Sequence, residues 1–231
     1  MNPAKPEKII FTRLYLIRHG QTEWNHQKHI QGQLDIPLNQ TGLSQAQAIA
    51  NKMTSQHKID VLLSSPSSRA FATAEAIQTA VNKEIQVQDD LIEIDFGDLV
   101  DHSVEMLPVE FPKYVQAFSH FVATNHTEGT PRPPIPGGEI YENVRIRIQR
   151  FTDMILDQHA GKHIAAVSHG SFIKCMLAVY TKSSLHDFIP FWIENASLTI
   201  VDFIGRQPVI RVVNDVSHLE TSLGFIVPKV M

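Results

Sequence analysis

A chain of 231 residues can bury one substantial core, or one core carrying an insertion, and we read it as a single domain over residues 1–231. With 43% hydrophobic and 19% charged residues, its composition excludes a disordered or fibrous protein. A formal charge of −4 without a long basic run leaves no footprint for nucleic acid, so any phosphate it binds must be met by a local cluster of cations.

At the N-terminus Lys5 and Lys8 precede an apolar stretch that Arg13 and Arg18 interrupt, with no small-residue cleavage site, so a signal peptide is not expected. Leu14 to Ile17 is a continuous apolar run, the pattern of a strand covered on both faces, and Arg18, His19 and Gly20 fall at its end. Leu43, Ala46, Ala50 and Met53 repeat at helical spacing. Val61 to Leu63 forms a second buried strand. Ser65 and Pro66 then read as the N-cap and first residue of a helix whose face is Ala70, Ala74, Ile77 and Val81, with Arg69 in its first turn. Ile85 to Val87 reads as an edge strand and Leu91 to Asp98 as an irregular loop.

From about residue 99 to 138 prolines interrupt two short apolar stretches around Phe111 and Phe118, an insertion expected to cap the site. Phe111, Tyr114, Phe118 and Phe121, at near-helical spacing, are expected to form the core of that cap. Ile140, Val144, Ile148, Phe151 and Ile155 mark a long amphipathic helix. Ile164 to Val167 is a third buried strand ending at Ser168, His169 and Gly170, followed by a helix through Phe172, Ile173, Met176 and Leu177. Cys175, the only cysteine, permits no internal disulfide and reads as buried packing in a reducing, cytoplasmic setting. Strands at Leu198 to Phe203 and Val209 to Val213 complete the sheet. No apolar run approaches a membrane span, so no membrane partner is expected, and both a monomer and a homodimer fit.

Strands alternating with helices imply a three-layer α/β/α fold with a mostly parallel sheet. Ligands of such sheets sit beyond the carboxyl ends of the strands, where Arg18, His19, Arg69, Ser168 and His169 all fall. A phosphate monoester demands cations and N–H donors, and guanidinium groups fork onto its oxygens. A neutral imidazole can attack phosphorus unaided, and arginines beside it should disfavour the imidazolium. His19 suits that role, with Gly20 letting the backbone approach. His169 would donate to the transferring phosphoryl oxygens, and Glu93 is the candidate general acid, since a partly desolvated carboxyl can keep its proton. Each piece alone is weak: Arg69 by itself would be a solvated helix residue, Glu93 an ordinary loop carboxylate and Ser168 a helix cap. His26 and His29 are expected on a surface loop. No metal-ligand spacing occurs, and neither a metal nor another cofactor is expected.

Taken together, LIRHGQTEWN at 16 to 25 closely resembles the signature of the histidine phosphatase superfamily, in its phosphoglycerate mutase-like branch. The resemblance implies that His19 accepts the phosphoryl group and that Arg18 and Asn25 bind phosphate. It continues, in family order, through QGQLDIPLNQTGLSQA at 31 to 46, with Gln31 and Gly32 at substrate-contacting positions, and SSPSSRAFATAEAI at 64 to 77, with Arg69 in the pocket. LIEIDFGDL at 91 to 99 would supply the proton from Glu93. PGGE at 136 to 139 and VSHGSFIK at 167 to 174 follow, the latter placing His169 and, in contact with substrate, Ser168.

The chain departs from the mutases where Ile94 follows the acid, in place of an arginine, and where Asp98, Leu99, Val100 and Asp101 replace Trp-Glu-Gly. From Leu99 to Gly137, Lys113 and Arg132 stand against Asp101, Glu105, Glu110 and Glu128, a local charge of −2 that does not suit a doubly anionic substrate. The resemblance therefore implies a phosphatase acting on a small-molecule phosphate ester, with a bulky or weakly charged alcohol such as a sugar, nucleoside-like or aromatic group. A phosphoglycerate mutase and a non-catalytic phospho-ligand binder are the alternatives.

Overall fold

The computed structural model describes residues 11–219, so Lys5 and Lys8 lie outside it. Six strands form one sheet: β1 (Phe11–Arg18), β2 (Val61–Ser64), β3 (Ile85–Val87), β4 (His163–Ser168), β5 (Leu198–Ile204) and β6 (Gln207–Asp215), in the order β3-β2-β4-β1-β5-β6. Pairings among the first four are parallel, and β5 runs antiparallel to both its neighbours. The expected mostly parallel sheet is thus present, with β3 as its short edge.

Among the described residues seven α-helices accompany it: α1 (Glu23–His26), α2 (Gln40–Gln56), α3 (Ser68–Val81), α4 (Leu107–Glu110), α5 (Pro112–Glu128), α6 (Tyr141–Gln158) and α7 (Gly170–Tyr180). Alternation along β1 divides the core. Leu14 and Leu16 face Val144, Ile148 and Phe151 of α6 and Phe172 and Met176 of α7, whereas Tyr15 and Ile17 face Ile49 and Met53 of α2 and Ala70 and Ala74 of α3. Both faces are covered because the run carries no polar residue on either. Each fully buried Leu or Ile here is worth about 1.5–3 kcal/mol relative to exposure.

Helix boundaries differ from the periodic pattern at points with local causes. Helix α3 opens at Ser68, two residues later than the Ser65-Pro66 reading, and Ser67 is its N-cap. Ser65 is buried and its hydroxyl is committed elsewhere. Leu43 and Ile140 fit the helical repeats but are exposed, because Ile49 and Tyr141 occupy the inward stripes beside them. The loop from 91 to 98 is flanked by two 3-10 turns, Asp89–Leu91 and Gly97–Leu99.

The proline-rich stretch folds as α4 and α5. Phe121 of α5 is fully buried, and Asn125 Oδ1 accepts from Phe188 N, tying α5 to the chain that follows α7. No helix among the described residues is long and apolar enough to cross a membrane.

Candidate active site

Register aligns the ends of the three central parallel strands. Arg18 is paired with Ser168, and Ser64 with Val167, so the residues just beyond β1, β2 and β4 share one end of the sheet. His19 N donates to Ser168 O at 3.0 Å and Ser65 N to Val167 O at 2.9 Å, which extends the ladder one residue into the site.

His19 is 3% exposed. Its Nδ1 lies 2.6 Å from Gly20 O; a carbonyl can only accept, so Nδ1 carries the proton and Nε2 keeps its lone pair. The imidazole's pKa lies well below the usual value. Burial is the main cause, followed by the charges of Arg69 and Arg18, so the arginines act in the expected direction but as the smaller influence. His169 packs edge-on against it, ring centroids 5.2 Å apart, and is likewise held neutral, mainly by burial. Its Nε2 is 2.8 Å from Ser65 Oγ and its Nδ1 is buried with no partner among the described residues.

Arg18 and Arg69 meet no carboxylate within ion-pair distance among the described residues. Arg18 Nη1 donates to Ile193 O, and Arg69 Nη1 and Nη2 donate to Leu34 O and Gly32 O, at 2.7 to 2.8 Å. Both Nε–H groups are buried and unpartnered. With Asn25, His29, Gln31, Gly32, Glu93 and Gly170 these arginines and His19 line a pocket of about 230 Å³. His169, fully buried against His19, is not among the side chains lining that pocket. Asn25 Oδ1 accepts from Thr22 N in a capping box that starts α1, and Thr22 Oγ1 donates to Gln31 Oε1. Gly32 has φ +51°, and a Cβ there would come within 2.9 Å of Val100.

Glu93 lines the same pocket as His19. Its Oε1 accepts from Ile94 N and Phe172 N, both at 2.9 Å, whereas Oε2 accepts only from Ser171 N, at 3.2 Å. Oε2 is therefore the oxygen less engaged by the protein.

One expectation is corrected. Ser168 does not reach the pocket: it is fully buried and its hydroxyl donates to Leu91 O at 2.7 Å, holding the acid-bearing loop against β4. Gly20 allows a close backbone approach within the protein as well, since a Cβ there would lie 2.4 Å from Gly42 O at the start of α2. Of the two loop histidines, His26 is exposed and His29 lines the pocket.

Several contributing residues escaped sequence reasoning. Asn195 Nδ2 lies 3.1 to 3.2 Å from His19 O, Gly20 O and Asn25 Oδ1, clamping the histidine loop from a segment after α7 with no motif of its own. Arg147 does carry a signal, being three residues beyond Val144 on the inward face of α6. It donates to Asp90 O and Ile92 O, pairs with Glu139 at 2.9 Å and lies 4.3 Å over the Phe172 ring.

Beside the pocket, sharing Phe96, Ser171, Lys174 and Trp192 with it, opens a cavity of about 600 Å³ between α5 and the chain after α7. Tyr114 and Phe118 of α5 line it, Phe111 is partly buried against the core, and Phe121 is the fully buried member of that aromatic series. Cys175 also faces it, with its thiol pushed up to about 12 by burial. Among the described residues no cluster of three or more His, Cys, Asp or Glu side chains is arranged to hold a metal.

Comparison with known proteins shows the family and the fold. The model of the histidine phosphatase superfamily (branch 1) matches residues 14–216. Phosphoserine phosphatase 1 of Hydrogenobacter thermophilus is 31% identical over 211 residues, 90% of this chain and 94% of the relative. Phosphoglycerate mutase-like protein 4 of Arabidopsis thaliana is 33% identical over 227 residues, covering 95% and 92% of the two chains. Among solved structures, a phosphoserine phosphatase from Entamoeba histolytica in complex with 3-phosphoglyceric acid superposes with a TM-score of 0.73 at 29% identity, over 90% of this chain and 99% of that one.

Proposed function

The chain belongs to the histidine phosphatase superfamily, branch 1, and from that premise we propose that it is a phosphatase of small-molecule phosphate monoesters that acts through a phosphohistidine on His19. One observation carries the reading: a buried imidazole with a free Nε2 lone pair faces a pocket lined by two guanidinium groups that meet no carboxylate within ion-pair distance among the described residues. Such cations favour a tetrahedral dianion, and their Nη groups, fixed on backbone carbonyls, need no reorganisation when it arrives.

In the proposed reaction Arg18, Arg69 and Asn25 hold the phosphoryl group while His19 Nε2 attacks phosphorus in line. The P–N bond forms as the ester P–O bond breaks, and the leaving oxygen takes a proton from Glu93 Oε2. His169 Nδ1–H stabilises charge on the transferring oxygens. Water, deprotonated by the same carboxylate, then cleaves the P–N bond, returning His19 neutral and Glu93 protonated. Arginines and imidazoles supply the electrostatic stabilisation, so we propose a metal-independent enzyme; the lone buried cysteine suits a cytoplasmic one.

His19→Ala should abolish turnover of 4-nitrophenyl phosphate with the fold intact by circular dichroism. Acid quench of the unaltered protein should trap acid-labile phosphate on His19, and excess EDTA should leave the rate unchanged. Turnover retained by the variant would discard the histidine mechanism.

A further inference from the structure

The cavity beside the phosphate pocket has a chemistry of its own. Its walls are aromatic and aliphatic, with Phe96, Tyr114 and Phe118 among them, and its ionic side chains are cationic only: Arg132 and Lys174 line it and no Asp or Glu does. The acid-rich count of the cap misleads here, because Asp101, Glu105, Glu110 and Glu128 are all exposed and none lines either cavity, whereas Arg132 points inward. The Arg132 guanidinium lies 5.6 Å and 5.5 Å from the ring centroids of Phe121 and Tyr141, its Nε buried without a partner and no carboxylate within ion-pair distance among the described residues. Lys174, at the neck shared with the phosphate pocket, has its Nζ 5.0 Å from the centre of the Trp192 ring. Burial, and secondarily the Arg18 charge, lower its pKa, so the fixed positive charge of this cavity is that of Arg132.

We propose that this cavity receives the alcohol half of the substrate, and that this half is a bulky aromatic or apolar carboxylic acid whose carboxylate meets Arg132. The inference rests on the phosphatase reading and narrows its substrate class. About 600 Å³ is the size of a site for a ligand of many heavy atoms, and the three carbons of phosphoserine would leave most of it unfilled. An α-ammonium would meet two cations with no counter-charge. A second phosphate is the weaker fit, since the phosphate pocket answers a dianion with two arginines and this cavity offers one at its wall. Guanidinium forks onto a single carboxylate, and a desolvated bond of that kind supports roughly tenfold or more in affinity.

The test compares 6-carboxy-2-naphthyl phosphate, 2-naphthyl phosphate and phosphoserine as substrates. The carboxylated ester should have the highest kcat/KM, about tenfold or more above the uncharged one, expressed mainly in KM, and that ratio should fall toward one in Arg132→Gln and recover in part in Arg132→Lys. Equal values for the two naphthyl esters, or a preference for phosphoserine, overturn the proposal. If no ester at all is hydrolysed, the enzymatic reading has failed by itself. Binding of 6-hydroxy-2-naphthoate against 2-naphthol, followed by calorimetry, then decides the subsite: tighter binding of the acid that Arg132→Gln removes supports it, and equal binding overturns it.

Discussion

At the scale of single residues, Ser65 fixes the chemistry of a ring it only touches. Its hydroxyl has one hydrogen, and His169 Nε2 at 2.8 Å is a nearer acceptor than Ser67 Oγ at 3.4 Å. Donation to Nε2 leaves Nδ1 protonated and turned away from the serine, the tautomer that the proposed phosphoryl contact requires. Ser65→Ala should therefore lower kcat about tenfold with KM little changed, and Ser65→Thr should restore most of it. A fall in KM-linked binding alone, or no rescue by threonine, would show a structural role only. The same two histidines set the acid limb of activity. Because both are held neutral well below 6.5, kcat/KM should persist as pH falls through that value, whereas an exposed histidine nucleophile would lose activity there. The residue identities of the site were legible in short motifs, because an Arg-His-Gly after a strand is local information. Ser65, Asn195 and the inward turn of Arg132 were not, since each acts on a group far away in sequence.

Among the elements, α6 does more than cover the sheet. Arg147 reaches from it to the carbonyls of Asp90 and Ile92, immediately before Glu93, and its pairing with Glu139 secures the start of the helix to the same loop. Ser168 Oγ holds Leu91 O from the other side. The acid-bearing loop is thus pinned from a helix and a strand. Arg147→Ala leaves Glu139 without its counter-charge and two carbonyls without a donor, a loss of about 3–5 kcal/mol. The expected readout is a lower thermal midpoint together with reduced kcat, and Glu139→Gln in the same background should recover part of the stability. An unchanged midpoint would show that the pair contributes nothing. Periodicity found α6, yet placed Ile140 inside and left Arg147 unremarked, because a repeat of apolar residues says which face is inward but not which polar group that face can satisfy.

For the whole molecule, burying neutral imidazoles ties stability to pH. His19 and His169 have folded pKa values well below their unfolded value near 6.5, and those of His57, His163 and His218 are lowered as well, in each case chiefly by burial. Below about 6.5 the unfolded chain binds protons that the native protein does not, so stability is greatest above that pH and falls progressively beneath it. The urea midpoint should be lower at pH 5.5 than at 7.5, and an equal or higher midpoint at 5.5 would contradict this account. The amino-acid sequence alone determined the three-layer α/β/α class and the strand ends that bear Arg18, His19 and His169, because strand and helix periods and short motifs are written in neighbouring residues. Only the tertiary structure decided that burial outweighs the arginines in keeping His19 neutral and that Ser168 is a fastener. It alone turned the cap's acids outward and set Arg132 facing a large cavity. Those outcomes depend on distances between segments far apart in sequence, and neither a charge sum nor a hydrophobic repeat carries a distance.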